Sequence, residues 1–337
     1  MKVRDYVIRR LLVLPLLILI TTIIVFGLMR VGGSPVGAYI EPGMSAEEVE
    51  RVEARFGLDE PLPMQYVAWW KGVFQGEFGW SAVSNAPVSD VFMDKLTATA
   101  ELAIVAGLIA IALGIAMGTF AARRRDKWQD QITRVVAVSG ASMPTFVFGI
   151  LMLIVFWAGL GWFPVGRSDT EIWASIPHPT GLYTVDSILA GSWDGFRDAI
   201  WHMLLPAIVL GYTATAIIAR MMRSSLVEEL GQDYVDAARA KGLPERIVVQ
   251  RHARRNALIP TITVIGLMFG ILIEGAVVVE IIFLWPGMGK WLADAVLQGD
   301  QATTMTYVLF TAVLMLVLNL IVDVLYAHLD RRVVLGD

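Results

Sequence analysis

Apolar residues recur in six long runs, at roughly Leu11–Met29, Ala100–Ala121, Val135–Trp157, Ile200–Ala219, Thr261–Phe283 and Tyr307–Ala327. Each is close to the ~20 residues that a helix needs to cross a hydrocarbon core. The pattern predicts an all-α, polytopic membrane protein with six transmembrane helices. Pro144 and Pro206 fall inside the third and fourth runs and are expected to kink them. The first run follows Lys2, Arg4, Arg9 and Arg10, as the core of a signal peptide would. It outlasts the usual ~7–15 apolar residues, however, and Met29-Arg30-Val31 offers no A-x-A cleavage site, so a retained first span is expected.

Composition and charge sharpen this picture. Of 337 residues, 56% are hydrophobic even without the 30 glycines and only 17% are charged, against ~25% charged in soluble domains. Such a chain has more apolar area than water can solvate, which excludes an ordinary cytosolic enzyme, a disordered chain and a nucleic-acid binder. The absence of cysteine excludes disulfides, thiolate catalysis, Cys-ligated zinc and iron–sulfur clusters in this chain. The four histidines, His178, His202, His252 and His328, are too dispersed for a metal or general-base cluster. With the N-terminus inside, 19 of the 27 lysines and arginines lie on that side and 8 on the other. The positive-inside rule therefore places both termini in the cytoplasm.

Three parts follow from that topology: a cytoplasmic tail and first span (1–30), a folded extracytoplasmic loop (31–99), and a five-span core (100–337) with a long inner loop at about 221–260. In the outer loop, Glu41-Pro-Gly-Met-Ser45 and Ala46-Glu-Glu-Val-Glu50 read as a turn, a serine N-cap and an acidic first helical turn. Trp69, Trp70, Trp80, Trp157, Trp162, Trp201, Trp285 and Trp291 lie near span ends or in outer loops, as an interfacial belt would. The inner loop is too long for a connector and too patterned for disorder. Asp233 is placed to cap a short helix over Tyr234–Lys241, where Tyr234, Ala237, Ala238 and Lys241 share a face. Gly242 supplies a positive-φ stop, and Pro244 fits the first turn of a second helix carrying Arg246, Arg251, Arg254 and Arg255. Short coupling helices between the fourth and fifth spans are the expectation.

The run Asp236-Ala237-Ala238-Arg239-Ala240-Lys241-Gly242 resembles the E-A-A, three residues, Gly pattern of the membrane subunits of ABC importers. Within them the chain is similar to the dipeptide/oligopeptide/nickel class, through Asp233–Gly242 and Arg251-His-Ala-Arg-Arg-Asn-Ala-Leu-Ile-Pro260. Phe56-Gly-Leu-Asp-Glu-Pro61, Gly161-Trp-Phe-Pro164 and Pro286-Gly-Met-Gly289 extend the resemblance over nearly the whole chain. Two departures stand out: the proline comes late, at Pro260, and Gly299-Asp300-Gln301-Ala302 lacks the Arg-Asp-x-Pro common in the class. The resemblance implies an importer of peptides or similar small polar solutes, with nickel chelate, glutathione or oligosaccharide as the alternative cargo within the family, multi-pass in a bacterial or archaeal plasma (inner) membrane. It implies as partners a homologous second permease, two cytoplasmic ATPase subunits and an extracytoplasmic solute-binding protein. Tyr234, Asp236, Ala237, Ala238, Lys241 and Gly242 would form the ATPase-coupling site, with ATP and Mg held by the partner subunits and no cofactor in this chain.

No G-x-x-x-x-G-K-[ST] loop occurs, since Gly287-Met-Gly-Lys290 lacks the spacing. The chain is therefore expected to be a transport subunit and not an enzyme. Carboxylates within spans are costly, ~2.5–3.5 kcal/mol each on insertion scales. Glu101 and Glu280 lie near span ends, where water or headgroups would solvate them; Asn319 and Asp323 form an i, i+4 polar pair read as packing glue or an end cap. Glu274, near the middle of the fifth span beside Gly270 and Gly275, is the translocation-path candidate, with an interhelix hydrogen bond as the alternative. A secondary transporter is the competing class, and it would need more midplane carboxylates than Glu274 alone. An intramembrane hydrolase lacks its G-x-S-x-G, H-E-x-x-H or paired aspartates.

Overall fold

The structure is a computed structural model, which describes residues 3–31, 35–39 and 44–329. The expected turn at 41–43, and Arg331 and Arg332 of the charge pattern, lie outside the described residues. In chain order the helices are α1 (Val3–Val31), α2 (Ala46–Phe56), α3 (Leu62–Gln75), α4 (Val88–Arg123), α5 (Trp128–Ser142), α6 (Thr145–Met152), α7 (Thr170–Ala174) and α8 (Tyr183–Leu189). They continue as α9 (Trp193–Glu229), α10 (Asp233–Ala240), α11 (Glu245–Ile247), α12 (Arg254–Ile282), α13 (Met288–Gln298) and α14 (Gln301–Leu329). A two-stranded hairpin, β1 (Trp80–Ser81) and β2 (Ala86–Pro87), precedes α4, antiparallel with Trp80 opposite Pro87.

Five stretches among the described residues are long and apolar enough to cross a membrane as helix: Leu12–Val31, Val88–Arg123, Trp193–Glu229, Glu245–Ile282 and Gln301–Leu320. The third expected span is not one helix. Met143 and Pro144 are extended (ψ 123° and 135°), so α5 ends at Ser142, and α6 runs on through a π-helical stretch, Leu153–Gly159. Proline lacks the amide that would continue the ladder and pushes the preceding residue out of the α region, so the expected kink is a full break. Pro206, by contrast, sits inside the unbroken 37-residue α9.

The chain divides into two compact units. One comprises residues up to Thr99 together with Pro286–Leu320; the other includes Ala100–Trp285. In the first unit Ser45 caps α2 as expected: its side chain accepts from the Glu48 amide and its own amide donates 2.7 Å to Glu48 Oε2. Such a capping box is worth ~1 kcal/mol. The core of this unit joins Val88, Met288 and Trp291, with Phe78, Phe92 and Phe310 packed around them. Asp300, fully buried, accepts from Ser81 Oγ (3.0 Å), the Val83 amide (3.2 Å) and Thr303 Oγ1 (2.8 Å). One carboxylate thus caps α14 and holds the hairpin.

In the second unit α9 is the hub and packs most extensively against α12, then against α5 and α8. Its approach to α4 depends on glycine. A Cβ at Gly114 would lie 2.7 Å from the Ile218 side chain, and one at Gly118 only 2.5 Å from Ala219 O. The two glycines, four apart, bring the backbones into direct contact. Two expectations fail here. Glu101 and Glu280 are buried, at 4% and 0% exposure, rather than solvated at a surface. Glu101 Oε2 accepts from Arg167 Nη2 at 2.8 Å, while its Oε1 accepts from the Thr184 amide and hydroxyl. The cost of burial is offset by three donors. Nor do all the tryptophans form a belt: Trp157, Trp162 and Trp201 are exposed, but Trp285 and Trp291 are core residues.

Candidate functional site

The inner loop folds into a compact element at the ends of α9 and α12. Glu229 closes α9, residues 230–232 turn, and α10 begins at Asp233. The cap therefore falls on Gln232, which makes no side-chain cap bond, and Asp233 is the first helical residue instead of the expected cap. The carboxylates of Asp233 and Asp236 in the first turn still complement the helix dipole. Lys241 ends the helix and Gly242 follows at φ +78°, the left-handed stop expected from the sequence. Pro244 precedes α11 as its N-cap rather than sitting in its first turn. From there α11, a π-helical stretch over Val248–Ala253 and α12 follow without a break. The expected second helix is thus the start of the apolar stretch Glu245–Ile282.

Burial divides α10 into two faces. Val235 (0% exposed) and Ala238 (8%) enter a cluster with Met222 and Leu226 of α9, Val248 and Val249, and Ala257 of α12. Tyr234, Asp236, Ala237 and Lys241 are exposed. Of the face expected from spacing, Tyr234, Ala237 and Lys241 point outward, whereas Ala238 packs inside the chain's own core. A helix of eight residues has two near turns, so the 100° step leaves Ala238 on the inner side with Val235.

Polar contacts brace the element from outside. Arg239 donates to Glu245 (2.9 and 3.2 Å) and to Asp236 (3.1 Å), bridging α10 and α11 across Gly242. These carboxylates hold the Arg239 guanidinium protonated still more firmly than usual. The Tyr234 hydroxyl donates to Glu229 and accepts from Asn256 Nδ2 (3.1 Å), joining α10 to the ends of both α9 and α12. A further clamp lies on α5. Asp130, with no exposed side-chain surface, takes a bidentate pair from Arg223 Nε (2.6 Å) and Nη2 (2.7 Å) and a third bond from the Asp126 amide. Arg223 lowers the Asp130 pKa from 3.8 to about 2.

Val235 and Ala238 pack α10 onto α9 and α12 together, and a close-packed cluster of this kind is suited to passing displacement between elements. The sequence reading missed Asp130 and Arg223, which are 93 residues apart, as well as the Arg167–Glu101 pair. The i, i+4 glycines Gly114 and Gly118 carried a signal that could have been read.

Glu274 is exposed on α12. Leu267, Ile271, Val278 and Ile281 form an otherwise apolar exposed stripe on the same face. Among the described residues no hydrogen bond or ion pair reaches Glu274. Asn319 is likewise exposed, and the Asp323 side chain lies outside the described residues.

Comparison with known proteins adds an independent line. Residues 111–335 match the family described as "Binding-protein-dependent transport system inner membrane component", and residues 3–103 match the N-terminal part of such membrane components. The chain is 40% identical to a di/tripeptide transport system permease protein of Pseudomonas aeruginosa, over 93% of each chain. It is 39% identical to a dipeptide transport system permease protein of Escherichia coli K12, over 98% of each. It is also 36% identical to a glutathione transport system permease protein of another Escherichia coli strain, again over 98% of each.

Proposed function

The chain belongs to the binding-protein-dependent transport system inner membrane components and is a permease subunit of an ABC importer, and we propose that it passes di- and tripeptides, or similar small polar solutes, into the cytoplasm by alternating access. It is a multi-pass inner membrane protein and a transport subunit, not an enzyme. The reading adds a bacterial or archaeal setting and four kinds of partner: a homologous second permease, two ATPases, an extracytoplasmic binding protein, and lipid. Cargo is inferred from the relatives named for dipeptides, di/tripeptides and glutathione, all small peptides.

The observation that carries the mechanism is the two-faced α10. Its inner face is locked to α9 and α12, while Ala237 and Lys241 on its outer face are exposed and would meet a partner. ATP and Mg, bound by the partner subunits, supply the driving free energy. This chain's residues receive the resulting displacement at α10 and turn it into movement of α9 and α12, a rigid-body transition that exposes the path to one side and then the other. Glu274 marks the path, on a face of α12 that is exposed among the described residues and that a second permease would complete.

The chain has no cysteine, so one introduced thiol is unique within it. In the assembled importer, Ala237→Cys should cross-link to an ATPase subunit with a short thiol-to-amine reagent, while the buried Val235→Cys should not. Cross-linking from neither position, with the complex intact, would remove α10 from the interface.

A further inference from the structure

Two cavities lie beside α1 and α3 in the first unit. The larger, about 660 Å³, is lined by Arg30, Tyr39, Gln65, Trp69 and Lys71 among others. The smaller, about 460 Å³, is an apolar groove lined by Ile23, Phe26, Gly27, Val31, Leu62 and Tyr66. Phe26 and Arg30 line both, so the two meet at these side chains. Each volume lies within the ~300–1,000 Å³ of small-molecule sites.

We propose that this pair of cavities binds one zwitterionic phospholipid, its acyl chain in the groove between α1 and α3 and its phosphate at Arg30. The site rests on the reading of α1 as a span whose Val31 end faces outward. The groove then lies at outer-leaflet depth: Tyr66 of α3 bonds Thr22 of α1 at 2.8 Å, nine residues or ~14 Å below Val31. α3 itself is built to lie in lipid. Leu62, Met64, Val67 and Phe74 are exposed, at 49–83%, on a helix whose one charged residue is Lys71. Water would not tolerate that surface, and lipid would.

The polar end selects the headgroup. Arg30 donates through Nη2 to Gln65, but among the described residues Arg30 Nε and Trp69 Nε1 are buried without a hydrogen-bond partner. Two orphan donors beside one cavity suit a phosphate oxygen. The ionisable lining is balanced, with Arg30 and Lys71 against Glu60 and Glu77. A neutral, zwitterionic head such as phosphatidylethanolamine fits this balance better than an anionic one. Trp69 and Trp70, packed edge to face, supply the aromatic side chains expected at headgroup level.

Native mass spectrometry of the intact, delipidated importer, titrated separately with phosphatidylethanolamine and phosphatidylglycerol, tests this. A Cβ at Gly27 meets nothing within 4 Å, so Gly27→Leu fills the groove without straining α1. Arg30→Gln removes the charge and keeps a polar side chain. The wild-type complex should hold phosphatidylethanolamine in preference to phosphatidylglycerol, and each variant should weaken that binding about tenfold or more, the loss of one charge-assisted bond or of a buried chain. The same spectra report whether the complex is intact, so misfolding is seen directly. Unchanged lipid binding in both variants overturns the proposal. So does equal displacement by glycerophosphoethanolamine, which has no acyl chains, or an importer that takes up no lipid because a partner covers the groove. Peptide uptake is read independently, so failure of the transport reading and failure of the lipid site are told apart.

Discussion

Asp130 and Arg223 show how much one ion pair decides where α5 packs on α9. Asp130 has no exposed side-chain surface, and breaking a buried pair of this kind costs ~3–5 kcal/mol. Arg223→Ala should therefore lower the unfolding midpoint of the purified chain more than Asp130→Asn, which keeps an acceptor for Arg223. The pH dependence has a definite sign. The folded pKa of Asp130 lies at about 2, below its ordinary 3.8, so its contribution is complete above about pH 4 and is lost as pH falls through about 2. Unfolding curves of wild type and Asp130→Asn should be separated at pH 6 and should converge from pH 4 downward; a separation that grows on acidification would contradict the clamp. Single-residue chemistry of this sort was poorly legible in the sequence. Gly242 could be read because a backbone stop is a local property, and Ser45 because its capping partner Glu48 is three residues away. Asp130 and Glu101 could not, since their partners come from 93 and 66 residues along the chain.

At the scale of elements, α10 is held on one side and open on the other, and substitutions should sort by side. Ala238→Arg forces a long cation into the cluster of Val235, Met222 and Val248 and should destabilise the chain by ~1–3 kcal/mol. Ala237→Arg, on the exposed face, should leave the unfolding midpoint unchanged. Equal destabilisation by the two would contradict the division of faces. The α4–α9 contact gives a second test. Gly118→Leu places a side chain where a single Cβ already lies 2.5 Å from Ala219 O, so the helices must separate and the unfolding midpoint must fall. The length of the apolar runs made the spans legible, but not their continuity. Pro144 ends a helix and Pro206 does not, although both interrupt apolar runs. The difference lies in tertiary surroundings: residues beside Pro206, such as Leu205, Ala207 and Val209, are buried on α9, whereas much of the run after Pro144 is exposed.

Across the whole molecule, the apolar spans carry exposed stripes, and Glu274 interrupts one of them; in the proposed importer these would face lipid or a second permease. A carboxylate on the path should favour cationic cargo. Glu274→Gln should therefore reduce uptake of a lysine-containing peptide more than uptake of an all-neutral peptide; equal residual uptake would remove Glu274 from the path. The central claim is that α10 delivers the energy of ATP hydrolysis to α9 and α12 through contacts on its outer face. Its most direct test is peptide uptake per ATP hydrolysed in proteoliposomes holding the complete importer with Ala237→Arg. A bulky cation on the outer face of α10 should lower that ratio by about tenfold or more, or release the ATPases, while leaving this chain inserted and folded. Wild-type uptake per ATP from an importer carrying Ala237→Arg would contradict the account.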